Sequence, residues 1–458
     1  MYVWRNKDLP PDPEFPANLK ELGYFVNDDD QIRQIAHPEE GYRYKINRND
    51  RVNVKFREAL NECIRAIILD RLKDAGLQTL RLPFGRQRGE SHVPILATPN
   101  LDEKSRIIVV FGDIVQDLGV WAHRSIHNGI NIGSAVNFTK AVLGDGKNRD
   151  IGLVIANTGQ LIWHCALECA VSQQSWDAAP RPYANWGQAT MSWRNKIPNN
   201  EHWGDHIDCV FENVLWPHVG KHTKIDIIGV AQGGMGVIKH LQSHWNVWKP
   251  YISGICFADP LQSTLSDIDM GGLTDPSSFT SFLASRSRAY LLSSTPLGEP
   301  MAGYRLHGCN CYSSGEALNS ECIITASWED MLKWLDKLAK DPEYSEHVML
   351  RAEDMDDEMC RMLDQQVQNA KEDKEDEKKG DNEDDEKVAD VQSRQSLNEN
   401  VEGTLDDKVA SARVQQEVPL SEMAKTEIKS GSDVEESEKP AVETAQPVKE
   451  IIEATAQV

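Results

Sequence analysis

The chain has 458 residues and carries a formal net charge of −23, from 72 acidic and 49 basic side chains. A chain of this length has room for two or three domains and needs neither disulfides nor metal ions to stabilise its core. The acidic excess argues against a duplex DNA binder or a membrane-surface protein, and no run of about 18 apolar residues is present that would span a bilayer.

Residues 1–100 are predicted to form an N-terminal extension with one amphipathic helix that packs on the core. Apolar residues recur three and four positions apart from Phe56 to Leu72, which predicts a helix over residues 54–76. The first fifteen residues contain no apolar segment of the kind found in secretory signals, so we expect no secretory signal there. Nine irregularly spaced cysteines indicate reduced thiols, and we expect the protein in the nucleus, the cytoplasm or both.

Residues 101–345 alternate short apolar runs with helical stretches. The runs that predict strands are 107–111, 151–156, 225–230, 252–258 and 289–292, with a weaker one at 309–312. The helical stretches are 206–219, 233–248 and 328–338. Because the apolar runs are continuous, the strands are expected to be buried on both faces, as in a parallel sheet. We predict an α/β domain with a doubly wound, mostly parallel sheet.

The C-terminal part of the chain has a different composition. Residues 346–370 begin as a helical pattern and are predicted to form a helical linker. Residues 371–458 contain 25 acidic and 12 basic residues and no aromatic residue. Such a segment buries too little apolar surface to offset its chain entropy, so we predict a disordered acidic tail.

One segment has the form of a nucleophile elbow, the strand–turn–helix motif G-x-S-x-G of α/β-hydrolases. The apolar run 225–230 enters a helix through residues 229–234, with Gly229 and Gly233 at the positions where the turn is tightest. Ala231 occupies the nucleophile position, and Gln232 follows it. Since alanine has no hydroxyl group, acyl transfer through this position is impossible.

The partners of a catalytic triad are searched for in chain order. Asp259 follows a predicted strand and is a candidate for the acid, although an ordinary strand-end residue explains it as well. The histidine is expected after the last strand, but residues 311–322 contain none, and Ser320 marks its place. Nucleophile and base are therefore both missing, which predicts a vestigial site without catalysis.

The stretch 176–194 is rich in the residue types that dominate protein interfaces. We consider three interpretations: a lid that buries its own tryptophans, a protein-binding surface, or a surface that stacks on unpaired RNA bases. The candidate binding residues are Trp176, Arg181, Tyr183, Trp186, Trp193 and Arg194.

Two pairs of potential metal ligands have helical spacing. His202 and His206 are four residues apart, but a metal site needs three or four convergent ligands, and this pair supplies two. Cys165 and Cys169 lie in an apolar stretch that we interpret as helical, with both thiols buried. We therefore expect neither a metal ion nor a cofactor.

Several segments together resemble the argonaute-binding domain of fungal RNA-silencing proteins, over roughly residues 15–340. Related domains form the C-terminal part of fungal class II histone deacetylases and occur in an animal family of co-transcriptional regulators; the family resembles α/β-hydrolases. The segments that carry the resemblance are 18–24, 111–121, 157–160, 229–234 and 313–315.

Several members of that family carry serine at the elbow and a His-Glu pair after the last strand. This chain has Ala231 and Ser320-Glu321 at those places. The resemblance implies protein binding in RNA-directed silencing or heterochromatin regulation, with argonaute or a histone deacetylase complex as the partner and small RNA contacted directly or through that partner. Two alternatives stay open: a serine-type esterase with displaced catalytic residues, and a small-molecule sensor that uses the vestigial pocket.

Overall fold

The structure is a computed structural model that describes residues 11–87, 89–146, 148–181, 190–351 and residue 354, all within one compact unit. The predicted tail, residues 371–458, lies outside the described residues. The strands of the described part are β1 (Tyr24–Val26), β2 (Ile32–Gln34), β3 (Gln78–Leu82), β4 (Val93–Ala97), β5 (Arg106–Phe111), β6 (Ile151–Ile155), β7 (Ile162–His164), β8 (Cys169–Val171), β9 (Lys224–Val230), β10 (Ile252–Ala258), β11 (Ser287–Leu291), β12 (Pro300–Met301) and β13 (Asn310–Ser313).

The α-helices surround these strands. They are α1 (Asp50–Asp74), α2 (His123–Ile126), α3 (Val136–Leu143), α4 (Gln173–Ala178), α5 (Trp203–Cys209), α6 (Gln232–Trp248), α7 (Phe279–Arg286), α8 (Tyr304–His307) and α9 (Ile323–Lys340). A π-helical turn over Val210–Leu215 continues α5. Of the helices in the described residues, none has both the length and the apolar character that crossing a membrane requires.

Nine strands form one sheet in the order β12-β13-β11-β10-β9-β5-β6-β4-β3. The six central strands from β13 to β6 are parallel, while β12, β4 and β3 add antiparallel edges. Every apolar run that predicted a strand forms one of these six. The structure therefore confirms the predicted doubly wound, mostly parallel α/β sheet.

Side chains of the central strands alternate between two apolar layers. Ile108 and Val110 of β5 face the layer that contains α1, α3 and α9. Ile107 and Val109 face the layer that contains α5, α6 and α7. Burial on both faces explains why these strands have continuous apolar sequences.

The N-terminal part does not end at residue 100. The predicted helix is present as α1, and Asn49 caps it by accepting a hydrogen bond from the Arg51 amide at 3.0 Å. The strands β3 and β4, however, belong to the main sheet, because β4 pairs with β6. The boundary drawn at residue 100 therefore has no structural counterpart.

The predicted helical linker also differs from the structure. Residues 346–351 are not helical, and residues 352–353 and 355–370 lie outside the described residues. The Asn310 side chain of β13 donates to the His347 carbonyl at 2.8 Å and accepts from the Met349 amide at 2.9 Å. These side-chain bonds hold the segment extended along the sheet in place of a helix.

One buried ion pair connects two central strands. Arg106 of β5 donates through Nε to Oδ2 of Asp226 on β9 at 2.6 Å, and its Nη1 reaches Asp336 of α9 at 2.6 Å. Asp226 is completely buried. Burial raises the pKa of Asp226, and the Arg106 guanidinium opposes that rise.

We expect Arg106→Met to lower the free energy of unfolding by about 3–5 kcal/mol, because it leaves a buried carboxylate without its cation. Urea denaturation followed by tryptophan fluorescence measures this loss. The control is Lys73→Met, which removes an exposed 3.2 Å pair with Asp70 and should cost less than about 0.5 kcal/mol. Equal losses in the two variants would contradict a structural role for the buried pair.

Candidate functional site

The turn between β9 and α6 holds Ala231 in an unusual backbone conformation. Its φ is 46° and its ψ is −116°, in a region that side chains with a Cβ rarely adopt. The Ala231 amide donates to the carbonyl of Ala258 at the end of β10, at 2.9 Å. This is the strained geometry of a nucleophile elbow, with a methyl group in place of a nucleophile.

The glycines beside Ala231 allow three backbone segments to meet. A Cβ on Gly229 would lie 2.4 Å from the Cα of Gly234, and one on Gly233 would lie 2.4 Å from the Gly112 carbonyl oxygen. Real Cβ atoms do not come so close to backbone atoms, so any side chain here forces the strand, the helix or the β5 loop to move. Close backbone packing is therefore a sufficient reason for glycine at positions 229 and 233, without any catalytic role.

A cavity of about 120 Å³ lies over the tip of this turn. One part of its wall is apolar, made by Val115, Val120, Trp121, Val230 and Ala231. The other part is polar, made by Asp113, Gln116, His123, Asp259, Ser320 and Glu321. The cavity therefore has the place and the mixed lining of a hydrolase active site.

The candidate acid and the missing histidine position meet in this cavity. Asp259 directly follows β10 with a φ of 53°, and Ser320 lies in the loop between β13 and α9. Burial raises the pKa of Asp259, and a hydrogen bond with Ser320 opposes the rise. Ser320 thus contacts the carboxylate that a catalytic histidine contacts in a triad.

Gln232 follows Ala231 at the first position of α6. In a hydrolase, the backbone N–H of this residue forms part of the oxyanion hole. N–H groups in the first turn of a helix have no partner within the helix. A donor for a carbonyl oxygen or an anion is therefore built into the turn, whatever the side chain at position 231.

His123 is one of the polar residues of this cavity that the sequence did not identify, together with Asp113 and Gln116. Its Nδ1 is buried and has no hydrogen-bond partner among the residues that the structure describes. Burial lowers the pKa of its imidazole, which favours the neutral form. The only signal in the sequence was position, since His123 begins α2 at the end of the segment after β5, and that segment supplies the second oxyanion donor in hydrolases.

The other histidines near the last strands lie elsewhere. His307 is buried in α8, where its Nδ1 is 3.0 Å from the Gln262 carbonyl oxygen. It does not line the cavity around Ala231. Among the described residues that line this cavity, Ser320 comes from the segment after the last strand and His123 from the segment after β5.

The candidate binding residues divide into a core set and a surface set. Trp176 is buried in α4 and packs edge-on against His164, so its assignment to a binding surface is wrong. Arg181 is half-buried, and its amide donates to Asp12 at 3.0 Å. Trp193 is 76% exposed, with the Arg194 guanidinium 5.5 Å from its ring. Two further candidates, Tyr183 and Trp186, lie outside the described residues.

The two pairs of potential metal ligands lie in different surroundings. His206 is completely buried and bonded on both ring nitrogens, at 3.0 Å to the Asn157 amide and at 2.6 Å to Asn200 Oδ1, and burial lowers its pKa to about 3. The stretch around Cys165 is a hairpin, β7–β8, and not the helix that we predicted, which leaves Cys165 exposed in the turn. No group of three or more ligands suited to a metal ion occurs in the described part of the chain.

The Arb2 domain family matches residues 15–297. No curated protein matches the chain significantly in sequence. In structure the chain is similar to the histone deacetylase Clr3, with 12% identity, a TM-score of 0.35, and coverage of 61% of this chain and 38% of that one. A bacterial heroin esterase has 10% identity, a TM-score of 0.29, and coverage of 60% and 89%. Carboxyl esterase 2 of the mycorrhizal fungus Tuber melanosporum has 11% identity, a TM-score of 0.29, and coverage of 58% and 85%.

The family match covers more than half of the chain, which therefore belongs to the Arb2 domain family. This confirms the resemblance to argonaute-binding domains drawn from the sequence. The likenesses to solved structures concern the fold, and the chain spans 38% of the length of the Clr3 chain.

We expect Gly233→Ala to destabilise the protein by about 3 kcal/mol or more, because its Cβ meets two backbone carbonyl oxygens. Those contacts are 2.4 Å to Gly112 and 2.5 Å to Phe111. Thermal unfolding of the purified variants measures the loss. The matched control is Gly220→Ala, where the nearest atom to the new Cβ is Thr223 Oγ1 at 3.5 Å. If both variants unfold at the wild-type temperature, the tight turn is not required.

Proposed function

We propose that this chain is a non-catalytic protein-binding domain of RNA-directed silencing or heterochromatin regulation. Its partner is argonaute or a histone deacetylase complex, in the nucleus, the cytoplasm or both. The observation that carries the proposal is Ala231, a residue without a nucleophilic atom at the tip of a turn with elbow geometry. Membership of the Arb2 domain family supports the choice of partners.

The side chains around the turn support the absence of catalysis. Acyl transfer through an elbow needs a hydroxyl or thiol at the tip and a base within hydrogen-bond reach. Position 231 provides neither group, and Ser320 takes the place of the base beside Asp259. Because two independent groups are replaced, no single substitution restores the triad.

The exposed pair Trp193 and Arg194 is the proposed partner-binding surface. Tryptophan and arginine contribute most to binding energy when a partner covers them. The turn that carries them is fixed by a capping box between Ser192 and Asn195, and Asn195 also donates to the Trp163 carbonyl at 2.9 Å. The two side chains are thus presented on a preformed turn, which lowers the entropy cost of binding.

The net charge of −23 bears on the role of RNA. A chain with a large net negative charge repels a phosphate backbone at long range. This supports contact with small RNA through the protein partner, with no duplex DNA bound directly.

A working hydrolase is the second candidate function, favoured by one observation. Asp259, Ser320 and His123 line the same cavity and supply a carboxylate, a hydroxyl and an imidazole. In that case Ser320 would be the nucleophile, on the loop where other family members carry histidine.

A serine-reactive fluorophosphonate probe distinguishes the two functions. We expect no labelling of the purified full chain, because the elbow lacks a hydroxyl group. The control variant is Ser320→Ala, which should behave like the wild type. Stoichiometric labelling that Ser320→Ala abolishes would contradict the non-catalytic proposal and support the hydrolase.

Tagged purification from native extract, read by protein mass spectrometry and small-RNA sequencing, tests the partners. We expect argonaute or deacetylase subunits, and at least about tenfold lower recovery with Trp193→Ala, since losing a central tryptophan costs about 2 kcal/mol or more. The matched control is Trp216→Ala, a half-exposed tryptophan elsewhere on the surface. Recovery of neither partner class would contradict the proposed function.

A further inference from the structure

An open cleft of about 640 Å³ lies beside the cavity at Ala231. It shares His123 and Glu321 with that cavity, so the two spaces adjoin. Its volume is within the range of ordinary small-molecule sites, roughly 300–1,000 Å³. The residues that line it come from the segment before α1, α1 itself, the α2 region, α4 and the loop before α9: Tyr44, Arg57, Asn61, His123, Arg124, His127, Asn128, Gln174 and Glu321.

Two arginines of the cleft have no carboxylate partner within the described part of the chain. Arg57 lies 5.9 Å from the centre of the Tyr44 ring and makes no ion pair there, and neither does Arg124. Other arginines of α1 are neutralised: Arg51 pairs with Asp12 at 2.6 Å, and Arg65 pairs with Glu58 at 2.6 Å. The cleft therefore brings together two guanidinium groups that form no ion pair within 4.0 Å in the described part of the chain.

Glu321 is the acidic residue that lines the cleft. Burial raises the pKa of its carboxyl group, and the charge of Arg124 opposes the rise. Burial also lowers the pKa values of His123 and His127, which favours neutral imidazoles. Two guanidinium groups against one carboxylate leave the lining with one positive charge.

A buried polar atom without a partner in the described part of the chain points to a ligand in the cleft. Asn61 is only 2% exposed, and its Oδ1 accepts a hydrogen bond from the Tyr44 hydroxyl at 2.8 Å. The buried Nδ1 of His123 has no hydrogen-bond partner among the residues that the structure describes. An unpaired buried polar group destabilises the fold, and a bound polar molecule that pairs with it would remove that destabilisation.

We propose that this cleft binds a phosphate monoester of about nucleotide size. Planar guanidinium groups bind phosphate oxygens through paired hydrogen bonds, and Arg57 and Arg124 supply two of them. The amide of Asn61 adds a neutral donor. Glu321 accepts hydrogen bonds from hydroxyl or amino groups on the rest of the ligand, which a bare phosphate lacks.

This inference goes beyond the proposed protein-binding function and does not depend on it. The cleft would give the domain a small-molecule ligand whether the partner is argonaute, a deacetylase complex or neither. A nucleoside monophosphate and a sugar phosphate both carry the required chemistry, and the experiment distinguishes these two sources.

The test is isothermal titration calorimetry of the full chain with AMP, GMP, CMP, UMP and ribose 5-phosphate. Adenosine and inorganic phosphate are the reference ligands. We expect saturable binding of at least one nucleoside monophosphate or of ribose 5-phosphate, and at least about tenfold weaker binding of both references. Binding of the nucleotides without the sugar phosphate would identify a nucleotide site, and binding of both would identify a sugar-phosphate site.

The arginine variants test the location. Arg124→Gln changes an exposed side chain. It should lower the affinity for the phosphate ligand at least about tenfold without altering the unfolding temperature. Arg57→Gln should lower the affinity for the same ligand by a similar factor. The control is Arg81→Gln, an exposed arginine of the edge strand β3 outside the cleft. The proposal is overturned if no phosphate ligand saturates, if adenosine or inorganic phosphate binds equally tightly, or if the control loses as much affinity as the cleft variants.

Discussion

The close approach of three backbone segments at the β9–α6 turn is the constraint on which the site depends. Gly229, Gly233 and Gly234 let the strand, the helix and the loop after β5 touch without side chains between them. This contact brings the loop residue Asp113 and the elbow residue Ala231 to one cavity. The turn therefore organises the site through packing, and that role is independent of which atom stands at its tip.

The central sheet stabilises the strained backbone of the β9–α6 turn. Six parallel strands buried on both faces form a rigid support, and the Arg106–Asp226 pair lies between two of the central ones. The Ala231 amide is held by the end of β10, so the elbow is fixed by the same ladder of strands. Backbone conformations that cost about 1–3 kcal/mol persist only where the surrounding structure determines them this strongly.

The sequence predicts those parts of the structure that leave a pattern within one short stretch of the chain. The run 107–111 is apolar throughout because β5 is buried on both faces, and such runs identify central strands. The edge strand β3 (Gln78–Leu82) is mostly exposed and has no such run, so the sequence alone does not connect it to the main sheet. The stretch around Cys165 forms a hairpin where the sequence predicts a helix, because a short apolar stretch is compatible with either structure.

The candidate site follows the same rule. The elbow glycines are adjacent in sequence and were found, whereas His123 and Asn61 reach their clefts only through tertiary packing. Trp176 and Trp193 are the same residue type in one stretch, yet one is buried and the other is 76% exposed. Composition identified the stretch, but burial is decided by the partners that each side chain meets, and those come from distant segments.

The positive φ of Ala231 has a consequence for how such proteins are recognised. Strained backbone at the end of a central strand is commonly taken as the mark of an active site, since strain tends to persist where chemistry requires it. Here the same strain surrounds a methyl group. A survey that selects hydrolases by backbone shape would include this chain, while a survey that selects them by the atoms at the tip would leave it out. Backbone shape and the presence of a nucleophile can therefore be separated, because packing alone is enough to maintain the strained turn.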